Sequence, residues 1–234
     1  MRLKKFEQLV HKMTIERWGG LLLVALPITN AFIYWIYVGK LDIEWFHYSR
    51  LIQLYSPEMT QQILSKLLEH GALFHWAKLS LWIVVLCFIK LLLIGIFSIA
   101  FAQFFNSSIK GTRLFLISLW SQVTLVFGMT LSLVRLLNAE SPMRIYLKDL
   151  DPSSWNSILK INGDGALQFF TSYNGPIVFV NIFILAYLFK HQTNLIERGT
   201  TSQTGWAKSI SFALLPYAIV LGVEYCILGI VLSK

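Results

Sequence analysis

The chain has 234 residues, 56% hydrophobic and 14% charged, with a net charge of +8 and a mean hydropathy of +0.61. Soluble domains carry about 25% charged residues, which excludes an ordinary water-soluble globule, and an aromatic content of 15% excludes disorder. What remains is an all-α, polytopic membrane helix bundle, read as a single membrane domain over 1–234.

A bilayer core of ~30 Å needs roughly 20 helical residues, and five apolar stretches approach or exceed that length. They cover about 19–38, 79–105, 114–137, 175–190 and 209–232. Ahead of the first lies a basic amphipathic segment, 1–18, with Phe6, Leu9, Val10 and Met13 at helical spacing and Lys4, Lys5 and Lys12 elsewhere around the helix. It reads either as an ordinary basic flank or as a helix that rests on anionic lipid headgroups or docks a cytoplasmic partner. The first apolar run is longer than the roughly 7–15 residues of a signal peptide, and no small-x-small cleavage site follows it, so it reads as a retained anchor.

The loop over 39–78 contains Ser56-Pro57-Glu58, a helix start with serine as N-cap, proline at the first helical position and an acid in the first turn. Met59, Ile63, Leu64, Leu67 and Leu68 then recur at helical spacing, with Gly71 as a stop, which predicts an interfacial helix over about 57–70. The loop over 138–174 repeats the pattern. Asp151-Pro152 is the expected start of a second short interfacial helix, with Trp155, Ile158, Leu159 and Ile161 on one face. Gly175-Pro176 marks the expected start of the fourth span, with an earlier start in 167–173 and a kink at the proline as the alternative.

With five spans, the N-terminal segment and the loops 106–113 and 191–208 share one side, which carries nine basic and three acidic residues. The loops 39–78 and 138–174 carry seven basic and eight acidic residues. The positive-inside rule then predicts a cytoplasmic N-terminus and an external C-terminus, in a bacterial inner membrane. The charge is thus a topology signal, and no nucleic-acid partner is expected.

No enzyme motif occurs: there is no Gly-rich phosphate loop, G-x-S-x-G, H-E-x-x-H or C-x-x-C. His11, His47, His70, His75 and His191 are scattered, so neither a metal nor a cofactor is expected. Cys87 and Cys226 both fall inside spans. The candidate site is an intramembrane polar layer of Lys90, Glu224, Gln122, Asn181 and Asn30, one residue from each span. At 1.5 Å per residue these lie ~16, ~12, ~22, ~9 and ~12 Å from the outer edge. Isolated charges at such depths are costly, so Lys90 and Glu224 are expected to face the interior and pair. The layer is either a site for a headgroup, ion or proton, or hydrogen-bonding glue between helices.

From residue 79 onward the chain resembles the Yip-domain family of small five-span membrane proteins, whose eukaryotic members interact with Rab/Ypt GTPases. The resemblance rests on Phe115-Leu116-Ile117-Ser118-Leu119-Trp120-Ser121 through Gly128-Met129, on the tail Phe179–Phe189, and on Trp206-Ala207-Lys208-Ser209 entering the last span. It departs at Gln122-Val123-Thr124, where the family carries a proline. The resemblance implies no catalytic residue. It implies a helical membrane adaptor or organiser.

The sequence therefore favours a non-enzymatic integral membrane protein, an adaptor or a subunit of a membrane complex. Its partners would be the lipid bilayer, other membrane proteins and anionic lipid headgroups. The alternative is a small transporter or lipid-handling protein using the polar layer around Lys90 and Glu224.

Overall fold

A computed structural model describes residues 2–52, 55–69, 72–105, 107–145, 150–160, 167, 170–171, 174–196 and 204–232. Among these the regular structure is helical, apart from one isolated bridge between Leu41 and Met143. The protein is an all-α helical bundle. The helices are α1 (Arg2–Lys40), α2 (Ile43–Leu51), α3 (Pro57–Glu69), α4 (Ala72–Phe104), α5 (Gly111–Trp120), α6 (Leu125–Asn138), α7 (Trp155–Leu159), α8 (Ile177–Ile196) and α9 (Trp206–Leu232). A 3-10 turn over Ser121–Thr124 joins α5 to α6.

Among the described residues, four helical stretches are long and apolar enough to cross a membrane: Trp18–Lys40, Val84–Phe104, Gly111–Asn138 and Trp206–Ile227. They mark an integral membrane protein. The expected fifth span, 175–190, is not among them, and the count is corrected from five to four. The reason is compositional. α8 is apolar, Asn181 aside, only from Ile177 to Phe189, about 20 Å of helix, before Lys190-His191-Gln192-Thr193-Asn194 turns it polar.

The basic N-terminal segment does not form a helix of its own. α1 runs unbroken for 39 residues through Pro27, about 58 Å, so the basic stretch continues the first span beyond a ~30 Å core. The packing of the Phe6, Leu9, Val10 and Met13 stripe lies outside the described residues.

Contacts at the helix ends fix the relative directions. Gly19 abuts Leu116, while Lys40 Nζ donates to the carbonyls of Leu136 and Ala139, so α1 runs alongside α5–α6 in the same sense. α9 runs antiparallel to α4 and α8. The Phe105 and Phe212 rings meet edge-to-face and the Thr204 backbone N–H donates to Asn194 at one end, while Lys90 and Glu224 meet towards the other. The beginning of α1 and the end of α9 therefore lie at opposite ends of the bundle. The central core joins Ile94, Leu114, Ile117, Leu185, Phe189 and Phe212, with the Phe189 and Phe212 rings stacked at 3.8 Å. Small residues permit the close helix contacts: the face of Gly95 is filled by the Phe115 ring, which a Cβ would meet at 2.3 Å.

At the end away from the basic segment, a clasp joins α1 to α6. Lys40 caps the last carbonyls of α6, Tyr37 Oη donates to the Ile145 carbonyl, and the Asp42 N–H bonds the Met143 carbonyl at 2.9 Å. Asp42 is also the N-cap of α2, a helix absent from the sequence reading, and pairs with Arg144 at 3.0 Å. α3 begins at Pro57 behind Ser56 as expected; Leu64 is buried, while Met59 and Leu68 stay exposed. The expected stop at Gly71 lies outside the described residues.

The second loop departs from expectation. α7 starts at Trp155 with Ser154 as N-cap, not at Asp151-Pro152, and Ile161 lies outside the described residues. Asp151 instead closes a turn, accepting from the Ser153 N–H and hydroxyl at 2.8 and 2.6 Å. This turn packs against the side of α6. It reaches Gly128 of α6, where a Cβ would meet Ser153 Oγ at 3.1 Å, and Gly128 lies ten residues, about 15 Å, inside the end of α6. The segment tolerates that depth because its polar groups satisfy one another: Ser157 Oγ donates to the Asp151 carbonyl, and the Ser157 N–H to Ser154 Oγ.

Candidate functional site

The re-entrant turn ends at a break in the chain before α8. The Trp155 N–H donates to the Asn174 carbonyl at 2.9 Å, and a Cβ on Gly175 would stand 2.1 Å from the Ser153 carbonyl oxygen. Glycine at 175 is thus a requirement of close approach, and Pro176 ends the upstream backbone ladder because it has no N–H. Upstream, Leu167, Phe170 and Thr171 are helical, and both the Asn174 N–H and its Nδ2 bond the Phe170 carbonyl. The described part of the alternative start within 167–173 is therefore helical, with the break at Asn174–Pro176.

This break carries an acceptor to an ion pair. Lys90 Nζ on α4 donates to Glu224 Oε2 on α9 at 2.9 Å and to Asn174 Oδ1 at 3.0 Å. The expected pairing of Lys90 with Glu224 is thus present in the geometry, and Asn174 is a third member the sequence reading missed. Lys90 lies fourteen residues, about 21 Å, from the Phe104 end of α4, towards the end of the bundle away from the basic segment. Asn174 is 4% exposed, whereas the Lys90 and Glu224 side chains keep 30% and 25% of their surface. The pair is therefore walled on the Asn174 side and open at the bundle perimeter. Phe170 and Tyr225 stand beside it, their rings edge-to-face at 5.6 Å.

The other expected members form a separate network. Asn181 Nδ2 donates to Gln122 Oε1 at 3.4 Å, Thr124 Oγ1 donates to Asn181 Oδ1, and Gln122 Nε2 donates to Tyr217 Oη. Ser121 Oγ lies 2.9 Å from Tyr217 Oη and donates to the Ser118 carbonyl at 2.6 Å. Gln122, Asn181, Ser121 and Tyr217 are all buried. The network sits on the 3-10 turn, where Ser118 and Ser121 both bond carbonyls three residues back, competing with the regular helical ladder. Asn30 belongs to neither set: it is half-buried on α1 and makes no hydrogen bond to either cluster. The single polar layer of the sequence reading is thus two clusters, one sealed and one open.

No protein-family model, no curated protein and no solved structure matches this chain.

An ion pair that is three-quarters buried gains attraction at the cost of two desolvations, and the two terms nearly cancel. Its contribution to stability is therefore a weak reason for its presence. Its chemistry is a different matter: two charges of opposite sign, held side by side with one face uncovered.

Proposed function

We propose that this integral membrane protein is non-enzymatic and recognises a charged or polar group, as a lipid-handling protein or small transporter, through Lys90, Glu224 and Asn174. One observation carries the reading: the Lys90–Glu224 pair is braced by Asn174 at a chain break and left open at the perimeter. Ionisable residues at such depth mark substrate or ion pathways, and non-helical backbone there is tolerated where protein buries it or a cavity lies beside it. Helical glue needs neither an opening nor a broken helix.

This places lipid handling or transport ahead of the adaptor or complex-subunit role that the sequence favours. The Yip-domain resemblance adds no residue to the site. The proposed setting is a bacterial inner membrane with the basic end cytoplasmic. The N-terminus then faces in and the C-terminus out, because the beginning of α1 and the end of α9 lie at opposite ends of the bundle.

The test is native mass spectrometry of the protein released from its own membrane in mild detergent. Bound lipid or solute on the wild type, lost from Lys90→Met/Glu224→Leu at unchanged folding, supports the site. A double variant that keeps every adduct shows the pair to be structural, and a co-purifying protein partner lost with neither residue favours the adaptor role.

A further inference from the structure

The open face of the ion pair has a composition of its own. An ammonium has three donors, and Lys90 Nζ spends one on Glu224 Oε2 and one on Asn174 Oδ1. One donor remains. Glu224 accepts through Oε2, and among the described residues Oε1 receives no hydrogen bond, so one carboxylate oxygen also remains. The spare donor and spare acceptor are neighbours, because the groups that carry them are bonded to each other at 2.9 Å.

We infer that the open face of Lys90 and Glu224 binds a zwitterion with a primary ammonium beside a phosphate, as in a phosphoethanolamine headgroup. This rests on the recognition site proposed above and names its ligand class. An anionic oxygen takes the free Lys90 donor, and an ammonium N–H takes Glu224 Oε1. Both charges are then compensated without breaking the pair or its bond to Asn174. A purely anionic group meets the Glu224 carboxylate next to its own charge, and a purely cationic one meets Lys90. A quaternary ammonium has no N–H to offer the carboxylate, so a choline headgroup satisfies only half of the site.

The surroundings fit an occupant that arrives from the bilayer. Leu86 and Ile89 on α4 are 56% and 44% exposed, and Val223, Tyr225 and Ile227 on α9 are likewise exposed, so the helix faces on either side of the pair are apolar. Acyl chains can lie on those faces while the headgroup meets the charges. Lys90 is fourteen residues, about 21 Å, from the Phe104 end of α4, which puts it in the far half of a ~30 Å core entered at that end.

The experiment titrates delipidated full-length protein in detergent with phosphatidylethanolamine, phosphatidylcholine, phosphatidylglycerol and free phosphoethanolamine, read by native mass spectrometry. The expected result is phosphatidylethanolamine binding at least about tenfold tighter than either other lipid, the worth of one charge-assisted hydrogen bond. Lys90→Met/Glu224→Leu, which removes both charges and so avoids stranding one, is expected to abolish the preference. Competition by free phosphoethanolamine assigns recognition to the headgroup alone. Its failure to compete, with the lipid preference intact, assigns it to the headgroup held in a lipid. Phosphatidylglycerol or phosphatidylcholine binding as tightly as phosphatidylethanolamine, still dependent on the two residues, overturns the ligand class and leaves the site. Equal binding of all lipids by wild type and double variant overturns both.

Discussion

Lys90 and Asn174 are 84 positions apart, and the lysine ammonium donates to the asparagine carboxamide at 3.0 Å. The same asparagine accepts the Trp155 N–H through its backbone carbonyl, so the re-entrant turn, the chain break before α8 and the ion pair share one residue. Asn174→Ala is expected to leave Lys90 with one partner fewer and to cost about 1–3 kcal/mol, the usual penalty for a buried polar group losing its partner. Thermal unfolding in detergent reads the loss. A midpoint unchanged from wild type contradicts the bracing role.

Gly175→Ala tests the close packing of the turn against the break. The new Cβ collides with the Ser153 carbonyl, a backbone atom that cannot swing aside, and the expected cost is about 1–3 kcal/mol or more. Gly222→Ala on α9 is the control. Nothing lies within 4 Å of its Cβ position, so the substitution is expected to be neutral or to stabilise the helix by up to about 1 kcal/mol. Equal effects at the two glycines in a thermal melt would show that the turn does not sit on Gly175.

The ion pair was legible from sequence because hydropathy finds a lone lysine and a lone glutamate in apolar stretches, and low dielectric drives them together. Asn174 was not, because Gly175-Pro176 reads as a helix start and puts the asparagine outside it. Asp151-Pro152-Ser153-Ser154 reads as an exposed turn for the same reason that it can be buried: its side chains bond one another, and composition does not reveal where a self-satisfied turn goes. The division of the third span at Ser121 was hidden too, since neither proline nor glycine marks it and the serines act through their bonds to carbonyls three residues back. α8 looked like a span because the residues from Ile177 to Phe189 are apolar apart from Asn181, and only the polar run after them shows that they stop short.

Gln192 on α8 is fully buried, and neither its Nε2 nor its Oε1 has a hydrogen-bond partner among the described residues. Gln192→Met keeps the length of the side chain and removes two unsatisfied groups. It is expected to raise stability by about 1–3 kcal/mol, the desolvation penalty relieved. A lower unfolding midpoint for the variant would show that the amide has a partner in the membrane.

The clasp at the far end of the bundle gives a pH dependence. The Trp45 N–H, and next the Arg144 guanidinium, hold the Asp42 carboxyl below its ordinary value of 3.8. A carboxyl with a depressed folded-state pKa contributes stability that is present above the unfolded value and lost as the pH falls through the folded one. Asp42→Asn retains a capping oxygen for Trp45 and removes only the charge. Wild type is expected to unfold at a higher temperature than Asp42→Asn at pH 7, with the gap closing as the pH falls below 3.8. A gap that persists in acid assigns the difference to something other than the carboxylate.

The claim that the Lys90–Glu224 pair recognises a ligand, and does not merely join two helices, is tested most directly by exchanging the charges. Removing one partner strands the other and costs on the order of 3–5 kcal/mol, whereas Lys90→Glu/Glu224→Lys keeps an ion pair between α4 and α9. The measurement is phosphatidylethanolamine binding by native mass spectrometry on this double variant, after its thermal midpoint has been shown to recover well above that of either single substitution. The account predicts a folded protein that has lost its headgroup preference, because the donor and acceptor have traded places and Asn174 now faces a carboxylate. A recovered double variant that binds phosphatidylethanolamine as tightly as the wild type contradicts it.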